Sequence, residues 1–134
     1  MRRLVLAALA VSLVAGPALA AQGCPTGLKH ATTAELYFGK SIGASGEVSR
    51  DDWRAFLDAE VTPRFPDGLT VTDVYGQWKT PKGEFVREAS SALFLVLAGA
   101  PDEQQRIDLI RAAYKRRFQQ DSVLLVEQAA CVSF

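Results

Sequence analysis

The chain has 134 residues, with 15 basic and 15 acidic side chains and a single histidine. That length suits one domain. The balanced charge argues against a general nucleic-acid binder, which needs a basic surface to displace counterions.

Met1 to Ala20 has the order of a secretory signal. Arg2 and Arg3 form the positive end, Leu4 to Val14 the apolar run, and Ala18-Leu19-Ala20 the small-residue cleavage site. The apolar run is too short for a permanent membrane helix, and no second run is long enough to cross. Cleavage after Ala20 removes Arg2 and Arg3, leaving 114 residues and a net charge of −2. Export with an even cysteine count predicts a Cys24–Cys131 disulfide in a periplasmic or secreted protein. Gly23 before Cys24 also admits a lipid anchor there, although Ala21 and Gln22 fit a lipid signal poorly.

Residues 21–32 carry Gly, Pro and Thr without periodicity and read as a flexible lead, with His30 a solvated loop residue. Residues 33–134 then form the domain. Ala34 to Phe38 sets Leu36 and Phe38 against Glu35 and Tyr37, the alternation of a strand. Gly39 to Gly46 is a loop. Its Gly39-Lys40-Ser41 is not a phosphate-binding loop, because Ala34 stands where the first glycine is needed and no helix follows at once. Ser49 opens a helix, with Asp52 at capping-box spacing. Trp53, Phe56, Leu57 and Val61 form its apolar stripe. Pro63 and Pro66 forbid its continuation, and Pro66-Asp67-Gly68 supplies turn chemistry.

Leu69 to Trp78 reads as the second strand. Leu69, Val71, Asp73, Tyr75 and Gln77 share one face, and Thr70, Thr72, Val74, Gly76 and Trp78 the other. Neither face is cleanly apolar, and a bulge at Gly76 would change the phase. Lys79 to Gly83 is a hairpin loop. The third strand runs from Phe85 to Ala98. Its far half, from Ala92, is apolar on both faces, the signature of a central strand covered on both sides. Pro101 suits a first helical position and Asp102 and Glu103 a first turn. Ile107, Ile110, Tyr114 and Phe118 form the second helical stripe. Arg111, Lys115, Arg116 and Arg117 crowd its end, where the helix dipole accounts for them without a phosphate. Val123 to Cys131 is the last strand.

The order strand, helix, strand, strand, helix, strand predicts an α+β, ferredoxin-like βαββαβ fold: a four-stranded antiparallel-type sheet with two helices on one face. The first and third strands are expected to be central and parallel to each other, with the last strand antiparallel beside the first. That order brings Cys131 towards Cys24. The segments TAELYFGKS, DDWRAFLDAEVTPRFPDGLTV, DVYGQW and the closing CVSF resemble the uncharacterised bacterial exported family called domain of unknown function 3574. The resemblance covers nearly all of the mature chain. It implies an exported α+β domain and no particular reaction, so it transfers no catalytic residue.

Nothing in the chain specifies a reaction. Gly43-Ala44-Ser45-Gly46 lacks the spacing of a nucleophile elbow, no dinucleotide fingerprint appears, and one histidine with two paired cysteines makes no ordinary zinc site. No cofactor and no metal is expected. What remains is the sheet face away from the helices, where Glu35, Tyr37, Asp73, Tyr75 and Gln77 are the expected binding residues. Such a face needs cover. The first reading is a module binding a small molecule or a protein partner there. The others are an acid–base enzyme using Glu35, Asp73, Tyr37, Tyr75, Arg87 or Glu88, and an envelope-associated structural homodimer.

Overall fold

Apolar residues at every second position of the first strand claim one face of a sheet for the core. A computed structural model describes residues 23–134; the expected signal segment lies outside them. The elements are β1 (Lys29–Gly39), α1 (Arg50–Phe56), β2 (Thr70–Lys79), β3 (Phe85–Leu97), α2 (Glu103–Phe118) and β4 (Leu124–Val132). The sheet order is β2-β3-β1-β4, and all three strand pairs are antiparallel. This is the ferredoxin-like α+β arrangement. The central strands β1 and β3 are therefore antiparallel, not parallel as expected. The α1 crossover returns β2 in the direction of β1, and the tight hairpin then reverses β3 into the slot between them.

Ala34, Leu36 and Phe38 of β1 meet Leu93, Leu95 and Leu97 of β3 and the stripes of both helices in one core. Trp53, Phe56 and Tyr114 pack around Phe38, with Phe38–Tyr114 ring centroids 4.8 Å apart and Trp53–Phe56 rings stacked at 5.8 Å, and Phe118 packs on Phe56 and Tyr114. Tyr114 is fully buried and donates its hydroxyl to the Gly39 carbonyl at 2.8 Å. Burial is the main cause that pushes its pKa far up, so it stays a protonated donor.

The start of α1 follows from its cap. The Asp52 amide donates to Ser49 Oγ at 3.1 Å. After Phe56 the helix widens into a π turn, Leu57–Val61, with the Thr62 amide bonding the Leu57 carbonyl at 2.9 Å. Pro63 cannot donate, and the helix ends there. Helix α2 begins at Glu103, so Pro101 precedes its cap instead of occupying its first position. Glu103 is buried, and its carboxylate accepts the amides of Ala98 and Gly99 at 2.8 and 3.0 Å, tying the end of β3 to α2.

Strand β1 begins at Lys29, inside the segment expected to be a lead. Its first residues gain their order from β4, with His30 opposite Cys131 and Thr32 opposite Ala129. The Cys24–Cys131 disulfide closes this end of the sheet. Both sulfurs are spent in it, so a thioether-linked lipid at Cys24 is incompatible with this structure.

Candidate functional site

Strand register divides the five expected site residues between two faces. Odd-numbered residues of β1 point away from the helices, so Glu35 and Tyr37 stand on the open face. Glu35 lies between Phe94 and Val126 in register, and Tyr37 between Ala92 and Leu124. The Tyr37 hydroxyl donates to Glu35 Oε2 at 2.5 Å. That bond is the largest cause raising the Tyr37 pKa, followed by desolvation and the Glu35 charge. Tyr37 is thus held as a donor, the wrong direction for a general base near neutral pH.

Asp73, Tyr75 and Gln77 are on the opposite side, a correction to the expected grouping. Register runs unbroken from Thr70↔Phe94 to Lys79↔Phe85, with no bulge at Gly76. Leu69 and Val71 pack against the core, which forces Asp73, Tyr75 and Gln77 to the helix side as well. Tyr75 and Gln77 lie where β2 and β3 run past the end of β1, whose last pair is Gly39↔Ser90. There Gln77 accepts from Arg87 Nε at 3.0 Å, while Tyr75, Trp78 and Phe85 are exposed.

Asp73 sits closer in. Lys40 Nζ donates to its Oδ1 at 3.0 Å, and Ser91 Oγ at 3.4 Å. Lys40 holds the Asp73 carboxyl below its ordinary pKa of 3.8, first through the hydrogen bond and then through its charge, with a smaller Coulombic contribution from Arg50. Lys40 and Asp73 form one wall of a cavity of about 540 Å³ between β2, α1 and the loop after β1. The remaining walls include Glu47, Val48, Arg50, Trp53, Arg54 and Leu57. Sequence reasoning treated Trp53 as core alone and missed the cavity. The available signal was the i, i+4 spacing of Arg50 and Arg54 around it.

At the C-terminal end of α2 two members of the basic cluster, Arg111 and Arg117, are engaged. Arg111 donates to the Val123 carbonyl at 3.2 and 3.1 Å and pairs with Asp108 at 3.0 Å. Arg117 lies over the Phe118 ring. Near the termini, Cys24, His30 and Cys131 offer donor atoms within 4.8 Å of one another. While the disulfide stands the sulfurs are no metal ligands, and His30 Nε2 accepts the Cys24 amide at 3.3 Å. His30 is a strand residue, not a loop histidine.

Residues 33–134 match a described protein family. The chain belongs to the family described as Protein of unknown function (DUF3574). No protein of curated function matches it. Among solved structures, a phage SAM lyase in complex with S-methyl-5′-thioadenosine is similar at TM-score 0.60 and 15% identity, over 78% of this chain and 90% of the lyase. The apo state of a phage SAM lyase gives 0.58 at 14% identity, over the same shares of each chain. B. subtilis GlnK with ATP gives 0.43 at 12% identity, over 74% of this chain and 82% of GlnK. At these identities the first two establish the shared fold.

The family match and the fold agree with the sequence reading of a small α+β domain. The disulfide belongs to a non-cytoplasmic setting. Among the described residues no helix is long and apolar enough to cross a membrane.

Proposed function

We propose that this is an exported partner-binding domain whose open sheet face packs against a second copy of the chain. One observation carries the reading. Ala92, Phe94 and Val96 of β3 and Leu124 and Val126 of β4 give these strands a second apolar face, the pattern of strands covered on both sides. The helices cover only one side, and Phe94 and Leu124 remain exposed.

One pair of polar groups on that face is already arranged for burial. Glu35 already has the Tyr37 hydroxyl as a donor, which lowers the cost of taking its carboxylate out of water. A closed two-fold dimer is the commonest way to bury such a face. The signal segment and the disulfide support export to the periplasm or beyond. The acid–base reading loses support, because Tyr37 is tuned away from base chemistry.

Sedimentation velocity of the mature, disulfide-bonded protein tests the reading. Wild type should sediment as a dimer. Leu124→Glu and Phe94→Glu should each give a folded monomer, since both side chains are exposed in the single chain and their replacement leaves the core intact. A wild type that stays monomeric to about 100 μM, or a dimer indifferent to both changes, overturns it.

A further inference from the structure

The cavity on the helix side is chemically unlike the open face, and its walls point to a ligand. Three cations, Lys40, Arg50 and Arg54, face two acids, Glu47 and Asp73. Lys40 is taken by Asp73 at 3.0 Å, yet its side chain is only 14% exposed while that of Asp73 is 80% exposed. The half-buried cation is thus held by a solvated carboxylate, a pairing that an entering anion can replace. Arg50 has no ion pair or side-chain hydrogen bond among the described residues, and Arg54 reaches only Asp51, at 3.8 Å with both side chains exposed.

Arg50 and Arg54 are four residues apart and so adjacent on one side of α1. Two planar guanidinium forks at that spacing match the oxygens of a carboxylate or phosphate. The apolar part of the wall comes from Val48, Trp53, Leu57 and Val71. Trp53 is 6% exposed, and its indole N–H is buried without an acceptor among the described residues. Leu57 starts the π turn, a helix irregularity often found at functional sites. A volume of about 540 Å³ lies within the range of small-molecule sites.

We propose that this cavity binds a small organic anion, with its carboxylate or phosphate held by the Arg50 and Arg54 guanidiniums and its apolar body against Trp53, Leu57 and Val71. The site uses no open-face residue, so it stands or falls separately from the dimer.

The test is a titration of the mature protein with phenyl phosphate and, as a neutral control, benzyl alcohol, followed by ¹H–¹⁵N spectra. The Trp53 indole resonance, assigned with Trp53→Phe, should shift saturably with phenyl phosphate and not with benzyl alcohol. Arg50→Ala/Arg54→Ala should weaken binding at least about tenfold, one decade being about 1.4 kcal/mol. Arg50→Lys/Arg54→Lys should also weaken it, since charge is kept and the fork is lost. Melting temperature and sedimentation should be unchanged in both double variants. No saturation by about 1 mM probe, equal binding of benzyl alcohol, or wild-type affinity in the double alanine variant overturns the proposal. Two merely solvated arginines would give the last of these results.

Discussion

Trp53 connects the core to the cavity, and two substitutions there separate its roles. The side chain stacks on Phe56 and meets Phe38 at 5.1 Å and Tyr114 at 5.9 Å. Trp53→Ala removes the ring from all three contacts and leaves a void in the aromatic cluster. The expected loss is about 3–5 kcal/mol, with each aromatic contact carrying about 0.5–1.5 kcal/mol of it beyond area burial. Trp53→Phe keeps a ring at the site and deletes the indole N–H. That donor has no acceptor among the described residues, and an unsatisfied buried donor costs about 1–3 kcal/mol. Its deletion offsets the lost volume, so Trp53→Phe should cost under about 1.5 kcal/mol. Urea unfolding at constant m reads both values, and thermal melting should fall by roughly 4 °C per kcal/mol lost. If Trp53→Phe costs as much as Trp53→Ala, the indole N–H has a partner and the packing argument fails. If Trp53→Ala leaves stability unchanged, Trp53 is not a core residue.

Two further outcomes are expected. The disulfide spans 107 residues of sequence, so reduction should destabilise the domain by about 5 kcal/mol in the chain-entropy model; unreduced peptide mapping should show Cys24 linked to Cys131, and two free thiols or a lipid at Cys24 would refute the pairing. Asp73, lowered from 3.8 chiefly by Lys40, contributes stability above that ordinary value and loses it as pH falls through the folded value; NMR titration should find its midpoint below 3.8 in the wild type and higher in Lys40→Met than in the wild type, and an unchanged midpoint in the variant would refute the assigned cause.

The layers of the fold were legible because each rests on a local period. Leu36 and Phe38 alternate with polar neighbours; Trp53, Phe56 and Val61 and then Ile107, Ile110, Tyr114 and Phe118 repeat at helical spacing, and all of these but the polar ones are buried. Ser49 capped the first helix as its spacing with Asp52 required. Strand direction has no such local signature. The antiparallel pairing of β1 with β3 follows from topology, not from either strand's residues. The start of β1 was hidden for a related reason. Lys29 to Thr32 carry no alternation, and their extended form is imposed by pairing with β4.

The candidate site was harder to read because two of its determinants are nonlocal. On β2 the useful signal was present: Leu69 and Val71 are the apolar members of the odd-numbered face, and their demand for the core sets the side of Asp73, Tyr75 and Gln77. Treating β2 as undecided between faces obscured that. The cavity had only a weaker signal, the i, i+4 spacing of Arg50 and Arg54. Its near wall comes from Lys40, Glu47 and Val48, held together by the segment Gly39 to Gly46, which reads as a flexible loop. The fold bends that segment back on itself, with Ile42 N–H to the Gly46 carbonyl at 2.8 Å and Val48 N–H to the Lys40 carbonyl at 2.8 Å. Gln120, beyond the end of α2, donates to the Ser41 carbonyl at 2.6 Å and anchors the loop from the far side of the sequence. Only with the loop fixed this way does Lys40 reach Asp73 while Glu47 and Val48 face Arg50 and Trp53. A site assembled by three segments, one of them ordered from 79 residues away, leaves its chemistry in the composition and its geometry in the tertiary structure alone.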